Sequence, residues 1–258
     1  MALKVDAEVR LESNPCVIAW DNKLFVGTED GSVKVFDGSL GAGPSWTAHT
    51  VQLFALAAGG SNVYTSSNDS GVRVWTQEGE KIAELQSTGA DVETLHVFGN
   101  ELYTGDEAGN YFPPFLFTVR DLDVTVTEIK PDESKSRFTT RHTMEGRAPI
   151  RVVGNRLLIM ARGGNNLQLH DASIETRYKK LQEVKVSDMI VTSLATYGDY
   201  AWTGGWDGHV RRWRIAGDVL EPAGELALPA CINSLATSTP DTAYAALANG
   251  TIAKISAV

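Results

Sequence analysis

A short motif recurs along the whole chain and constrains the fold more than any other feature of the sequence. In each copy a large residue is followed by a Gly/Asp and Asn/Asp pair and then by a short apolar run. Clear copies begin at Trp20, Phe98, Val153 and Tyr197, and looser copies begin at Gly60 and Pro240. The small pair suits the positive-φ positions of a tight hairpin, and the apolar run is typical of the hairpin's second strand. The sequence therefore predicts a succession of β-hairpins.

A second element follows each hairpin and consists of a Gly-bearing turn and a strand of alternating polarity. It is clearest at residues 30–37, 69–75 and 207–213, and weaker at 165–171 and 249–255. Alternation of this kind predicts a strand with one buried face. Successive units are about 40 residues apart, but the interval from Trp75 to His170 holds one further unit, with its turn at residues 106–109, and an insertion. The pattern therefore predicts six units.

These units resemble the WD40 repeat, in which a blade of about 40 residues carries a Gly turn and a terminal Trp-Asp-like pair. The best match is the unit of His49, Asp69 and Trp75, which is similar to the family's Gly-His start, turn Asp and strand Trp. The resemblance implies that these three residues belong to a structural hydrogen-bonded set, with Thr65 or Ser67 as its hydroxyl member.

Other units depart from this pattern. Asp207 and Trp213 are also predicted to be structural, although their unit lacks the His. The unit around Tyr111 to Phe117 contains Pro113-Pro114, which we expect to interrupt a strand ladder because proline donates no backbone hydrogen bond.

Together these features predict an all-β fold, a six-bladed β-propeller of four-stranded antiparallel blades. We expect one domain, residues 1–258, with an irregular insertion at about 111–147. The last unit ends just after its third strand, whereas residues 3–11 alternate as a strand ahead of the first unit. The N-terminal strand is therefore expected to complete the last blade, which closes the ring and removes an exposed edge.

The net charge and the targeting signals predict which classes of partner and which cellular location to expect. The net charge is −9 and the pI is about 5.1, so nucleic acid is not an expected partner, because an acidic surface repels phosphate backbones. The N-terminus lacks the apolar core of a signal peptide, and no apolar stretch has the length of a membrane helix. These features predict a cytoplasmic or nuclear protein without a membrane partner. Cys16 and Cys231 are interpreted as small buried hydrophobes.

No catalytic or metal-binding motif stands out. The five histidines are scattered over different units without ligand spacing, and the P-loop, GxSxG and HExxH patterns are absent. We therefore predict no catalytic residue, no cofactor and no metal, and a protein that is not an enzyme. The alternative is a six-bladed propeller hydrolase with a metal site in the central channel.

The favoured function is a protein–protein interaction scaffold, a monomeric propeller within a larger hetero-complex. In the family that the repeats resemble, the residue before the turn Asp points to one face of the ring. Those residues here are Glu29, Asn68, Glu107 and Trp206. An exposed Trp can anchor a partner, and acidic residues on this face predict a basic or amphipathic peptide. The aromatic and charged segment 111–147 is a second candidate surface.

Overall fold

The computed structural model describes residues 2–85, 91–98, 101–105, 108–112, 114–120, 122–130 and 138–258. Over these ranges the chain forms 26 β-strands. The strands in chain order are β1 (Leu3–Arg10), β2 (Pro15–Asp21), β3 (Lys23–Thr28), β4 (Ser32–Phe36), β5 (Ala42–Thr47), β6 (Ala55–Gly59), β7 (Asn62–Ser67), β8 (Ser70–Thr76), β9 (Lys81–Leu85), β10 (Thr94–Phe98), β11 (Glu101–Gly105), β12 (Ala108–Phe112), β13 (Phe115–Arg120), β14 (Asp123–Ile129), β15 (Phe138–Glu145), β16 (Arg147–Val153), β17 (Arg156–Met160), β18 (Asn166–Asp171), β19 (Lys180–Lys185), β20 (Val191–Tyr197), β21 (Tyr200–Gly205), β22 (His209–Ala216), β23 (Val219–Ala227), β24 (Ile232–Thr239), β25 (Thr242–Leu247) and β26 (Thr251–Ala257).

The described strands form six four-stranded antiparallel sheets and one two-stranded sheet. Five of the four-stranded sheets are meanders of consecutive strands: β2–β5, β6–β9, β12–β15, β16–β19 and β20–β23. The first strand of each sheet packs beside the first strand of the next, and β24 returns to β2, so the innermost strands close a ring. The predicted propeller of six four-stranded blades is confirmed.

Several of the turns that connect these strands have the positive φ that the repeat predicted. Asn22, Gly154 and Gly198 have φ values of 56°, 55° and 53°, and the later turns carry Gly31 and Gly208 at φ 83° and 70°. A left-handed residue at these positions gives the tight reversal that joins neighbouring antiparallel strands.

The sixth four-stranded sheet contains both ends of the chain, in the order β1-β26-β25-β24. β1 pairs antiparallel with β26 from Leu3↔Ala257 to Arg10↔Thr251. The predicted closure by the N-terminal strand is therefore confirmed. Leu3 is buried in the core, so this strand is also held by apolar packing.

The interval from Trp75 to His170 is longer than two ordinary units, and the extra residues form an additional hairpin. Strands β10 and β11 form a separate two-stranded sheet, and β10 packs between β6 and β12. The described residues of the segment 111–147, which was expected to be an irregular insertion, belong largely to the regular sheet β12–β15. Pro114 lies in the turn between β12 and β13, and Phe112 and Phe115 on either side of it pair directly. The prediction that Pro114 interrupts a strand ladder was therefore wrong. Pro113 lies outside the described residues.

The hydrophobic core lies between neighbouring blades. Trp202, for example, is fully buried against Ala245 and Ile255 of the last blade, and Phe25 packs with Leu53 and Val63 of the second. Each blade buries both faces in this way, so an incomplete blade would leave apolar surface in water. None of the described residues belongs to a helix long and apolar enough to span a membrane.

Candidate functional site

One end of the propeller is formed by the loops that lead into the innermost strands and by the turns between the second and third strands of each blade. Backbone hydrogen bonds tie the loops to the turns: the Glu29 N–H donates to Asn14 O at 2.9 Å, and the Trp206 N–H donates to Ile190 O at 3.0 Å. We call this end the Trp206 face. Its described residues include 11–14, 28–31, 48–54, 68–69, 91–93, 163–165, 186–190, 205–208, 228–231 and 248–250.

A continuous hydrogen-bonded chain runs from this face into the second blade. Trp75 Nε1 donates to Thr65 Oγ1 at 2.9 Å, Thr65 Oγ1 lies 2.9 Å from His49 Nε2, and His49 Nδ1 lies 2.6 Å from Asp69 Oδ1. A neutral His49 satisfies every group, because Nδ1–H donates to the carboxylate and Nε2 accepts from the Thr65 hydroxyl. Thr65, rather than Ser67, is the hydroxyl member. His49 and Thr65 are fully buried, so this part of the set lies inside the blade, away from any partner at the face.

The blade β20–β23 repeats part of this arrangement with a substitution. Trp213 Nε1 donates to Thr203 Oγ1 at 3.0 Å, as in the second blade. The Ser187 hydroxyl donates to the Asp207 carboxylate at 2.8 Å. Ser187 therefore bonds the turn Asp in this blade, as His49 does in the second blade. Sequence reasoning missed Ser187, since its only signal is a spacing of 20 residues before the turn Asp, equal to that from His49 to Asp69.

The electrostatics of the His49 set favour an uncharged imidazole. Burial lowers the pKa of His49, and the hydrogen bond to Asp69 opposes this only in part. Burial alone would raise the pKa of Asp69, but the Thr50 N–H and His49 bonds outweigh it and lower that pKa to about 2. The folded state therefore disfavours protonation of both groups.

We expect the melting temperature to fall in two steps on acidification. A base whose folded pKa lies below its ordinary 6.5 favours the folded state fully above 6.5 and loses that contribution as the pH falls below it. Asp69 adds a second loss between pH 3.8 and about 2. Melting curves from pH 8 to pH 2 measure this. In His49→Gln the first step should shrink but not vanish, because burial also lowers the pKa of His170; an unchanged first step would contradict the assignment.

The predicted partner-binding residues have different surroundings. Glu29 is exposed, and its carboxylate accepts from Asn14 Nδ2 at 3.0 Å. Asn68 is exposed beside the Asp69 turn. Glu107, like the neighbouring Asp106, lies outside the described residues. Trp206 is 51% exposed.

Trp206 stands on a fixed backbone at the mouth of the central channel. Its N–H is bonded to Ile190 O, and its carbonyl accepts from the Cys231 thiol at 3.2 Å. Cys231 is exposed, so the prediction that it is a buried hydrophobe was wrong, and Cys16 is half-buried. Trp206 borders a cavity of about 530 Å³ that is also lined by Glu93 and by residues of the innermost strands β16, β20 and β24.

The aromatic part of the 111–147 segment packs inside the blades where the structure describes its side chains. Phe117 is fully buried, and Phe115 and Phe117 meet Tyr178 edge-on with ring centroids 6.4 and 5.8 Å apart. Most of the charged part of this segment, residues 131–137, lies outside the described residues.

The part of the chain that the structure describes contains no group of side chains suited to bind a metal ion. No three His, Cys, Asp or Glu side chains there are grouped so that they could share a metal ion. The described lining of the central channel includes Arg147 and Arg151, which repel a cation.

Comparison with solved structures shows the fold. The chain is similar to the WD40 β-propeller domain of Doa1 (TM-score 0.80, 12% identity, 100% of this chain and 97% of that one). It is also similar to the β-propeller domain of Cps50 (Swd1) from Myceliophteria thermophila (TM-score 0.77, 13% identity, 99% and 100%). The computationally designed Ika8 protein matches at TM-score 0.70 with 14% identity over 96% and 98%. No family model and no curated protein sequence matches the chain. The fold is that of a WD40 β-propeller.

Proposed function

We propose that this propeller is a non-catalytic scaffold that binds a protein or peptide partner on the Trp206 face, as a monomeric subunit of a hetero-complex. The observation that carries the proposal is the exposed indole of Trp206 on a backbone held from both sides by hydrogen bonds. Trp is among the residues that contribute most to binding when a partner covers it. A rigid anchor also loses little conformational entropy on binding.

Other apolar side chains on the same face support this. Val51 and Met189, in the loops before β6 and β20, are 41% and 46% exposed. Met189 lies next to Ile190, whose carbonyl holds the Trp206 backbone. Exposed apolar groups at one end of a rigid ring are typical of protein-binding surfaces.

Acidic groups at the rim favour a partner that carries basic residues. Glu29 is exposed at the β3–β4 turn, and Glu93 lines the cavity that Trp206 borders. Rim charges of this kind raise association rates and set the orientation of a partner more than they raise affinity. We therefore expect binding to weaken as the salt concentration rises.

The proposal is tested by purifying the tagged chain from its source cell with its partners. Trp206→Ala should reduce the recovered partner at least about tenfold, since a buried Trp anchor is typically worth 2 kcal/mol or more. Tyr197→Ala is the matched control, because Tyr197 is a 46% exposed aromatic residue at the opposite end of β20.

The melting temperature of each variant separates binding from folding. We expect Trp206→Ala to melt within about 2 °C of the wild type, because an exposed side chain contributes little to stability. Full partner recovery with Trp206→Ala, or its unfolding, would refute the assigned role of Trp206.

A further inference from the structure

One position in the innermost strands carries a charge where its equivalents are apolar. Strands β2, β20 and β24 each have a register shift at their start. The second paired residue after the shift is Ile18 in β2, Leu194 in β20 and Leu235 in β24. All three side chains are buried. In β16 the shift lies between Arg147 and Ile150, and the equivalent residue is Arg151. Packing alone would place an aliphatic side chain there.

Arg151 lies in the central channel. Arg151 lines the cavity at the Trp206 face, of about 530 Å³, and also a second cavity of about 290 Å³ formed by residues further along the innermost strands. Among the described lining residues, Arg151 is the one that both cavities have in common. Arg151 therefore borders the path of a ligand that enters the ring from the Trp206 face.

The charge of Arg151 is not compensated by any described carboxylate. Its Nη1 donates to the carbonyl of Ile150 at 2.8 Å, and no other partner of the side chain occurs among the described residues. Burial lowers the pKa of Arg151. Arg212, which is fully buried, shows the contrast: it pairs with Asp241 and lies over the ring of Tyr200 at 3.7 Å. Arg151 is half-buried, and holding a cation partly out of water without an ion pair is costly.

Further donors line the same cavity. The hydroxyl oxygens of Ser193 and Ser234 accept the backbone N–H of Leu235 and Ile18 at 2.8 and 3.2 Å. Neither hydroxyl hydrogen has an acceptor among the described residues, so both can donate into the cavity. Arg147 supplies a second guanidinium there, also without an ion pair in the described part of the chain. Glu93 is the carboxylate of the described lining, and it lies at the mouth.

We propose that the central channel binds a phosphate-type oxyanion between Arg151, Arg147 and the hydroxyl groups of Ser193 and Ser234. The planar guanidinium presents parallel N–H donors that match two oxygens of such an anion. Hydroxyl donors from two further strands suit the remaining oxygens of a tetrahedral group better than those of a planar carboxylate. The anion supplies the negative charge that the channel lacks. Anion binding here does not require a partner at the rim, although Trp206 borders the same cavity.

Calorimetric titration with inorganic phosphate at constant ionic strength tests the site. We expect saturable binding to the wild-type protein and a melting temperature that rises with phosphate concentration. Arg151→Leu should weaken phosphate binding at least about tenfold, because hydrogen bonds to a charged group contribute more than neutral ones. Arg214→Leu is the matched control, since Arg214 is an exposed arginine on β22 outside the channel.

The same variants report on the alternative that Arg151 only supports the fold. Without phosphate, Arg151→Leu should melt at the wild-type temperature or above it, because leucine matches the equivalent positions and removes an unpaired charge. A melting temperature several degrees lower would overturn the proposal. So would unchanged phosphate binding by Arg151→Leu, no binding by the wild type, or equally tight binding of acetate.

Discussion

Deletion of residues 1–11 is expected to lower the melting temperature by about 10 °C or more. The deletion removes the whole ladder from Leu3↔Ala257 to Arg10↔Thr251 and exposes the edge of β26. It also uncovers the apolar surface that Leu3 and Val9 cover, at roughly 1.5–3 kcal/mol for each side chain. In a domain of this size each kcal/mol shifts the melting temperature by about 2–4 °C. Thermal unfolding followed by circular dichroism measures the change.

Rescue in trans separates loss of closure from general damage. A synthetic peptide of residues 1–11 added to the deleted protein should restore most of the lost stability, because it can pair with β26 again. The same peptide carrying Leu3→Asp and Val9→Asp should fail, since both apolar contacts are lost. A deleted protein with the wild-type melting curve would show that β1 does not close the ring.

Removal of the Thr65 hydroxyl is expected to cost about 2–4 kcal/mol of unfolding free energy. Thr65→Val keeps the shape but leaves His49 Nε2 and Trp75 Nε1 without their shared partner, and each buried unpaired group costs about 1–3 kcal/mol. Thr203→Val is the matched control, because Thr203 serves Trp213 but no histidine. It should cost about half as much. Urea denaturation of the three proteins measures this, and equal losses in both variants would contradict a three-member network.

The order of strands was largely predictable because the hairpin signals are local. Asn22, Gly154 and Gly198 mark turns that the sequence identifies without tertiary information, and each has the expected positive φ. The closing role of β1 was predictable for a different reason. A propeller that lacks its last strand has an unpaired edge, and the alternating residues 3–11 were the remaining strand to fill it.

The surplus sheet β10–β11 was not predictable from the repeat. Its hairpin matches the motif as well as a full blade does, and the motif does not encode whether two further strands will pair with it. The chain continues into β12, which takes the innermost position of a new sheet instead. The repeat therefore indicates where hairpins occur but not how sheets divide between them.

The chemistry around the channel was also hidden in the sequence. Arg151 lies in an alternating strand, where an arginine suggests a solvated face. Only the register of β16 against its neighbours shows that its equivalents are Ile18, Leu194 and Leu235. The place of Trp206 before the turn Asp, in contrast, predicts from the sequence that it lies on one face of the ring, and its role as a partner-binding residue stays a prediction. Its exposure at the cavity mouth depends on tertiary packing that one sequence does not encode.

Hydrogen–deuterium exchange of the purified complex, compared with the free propeller, tests the central claim most directly. The proposal of a partner on the Trp206 face predicts protection of the loops 48–54, 186–190 and 228–231 and of the turn 205–208. The outer strands β9, β19 and β23 should exchange as in the free protein. Protection confined to those outer strands or to the opposite end of the ring, with the Trp206 face unchanged, would contradict the account.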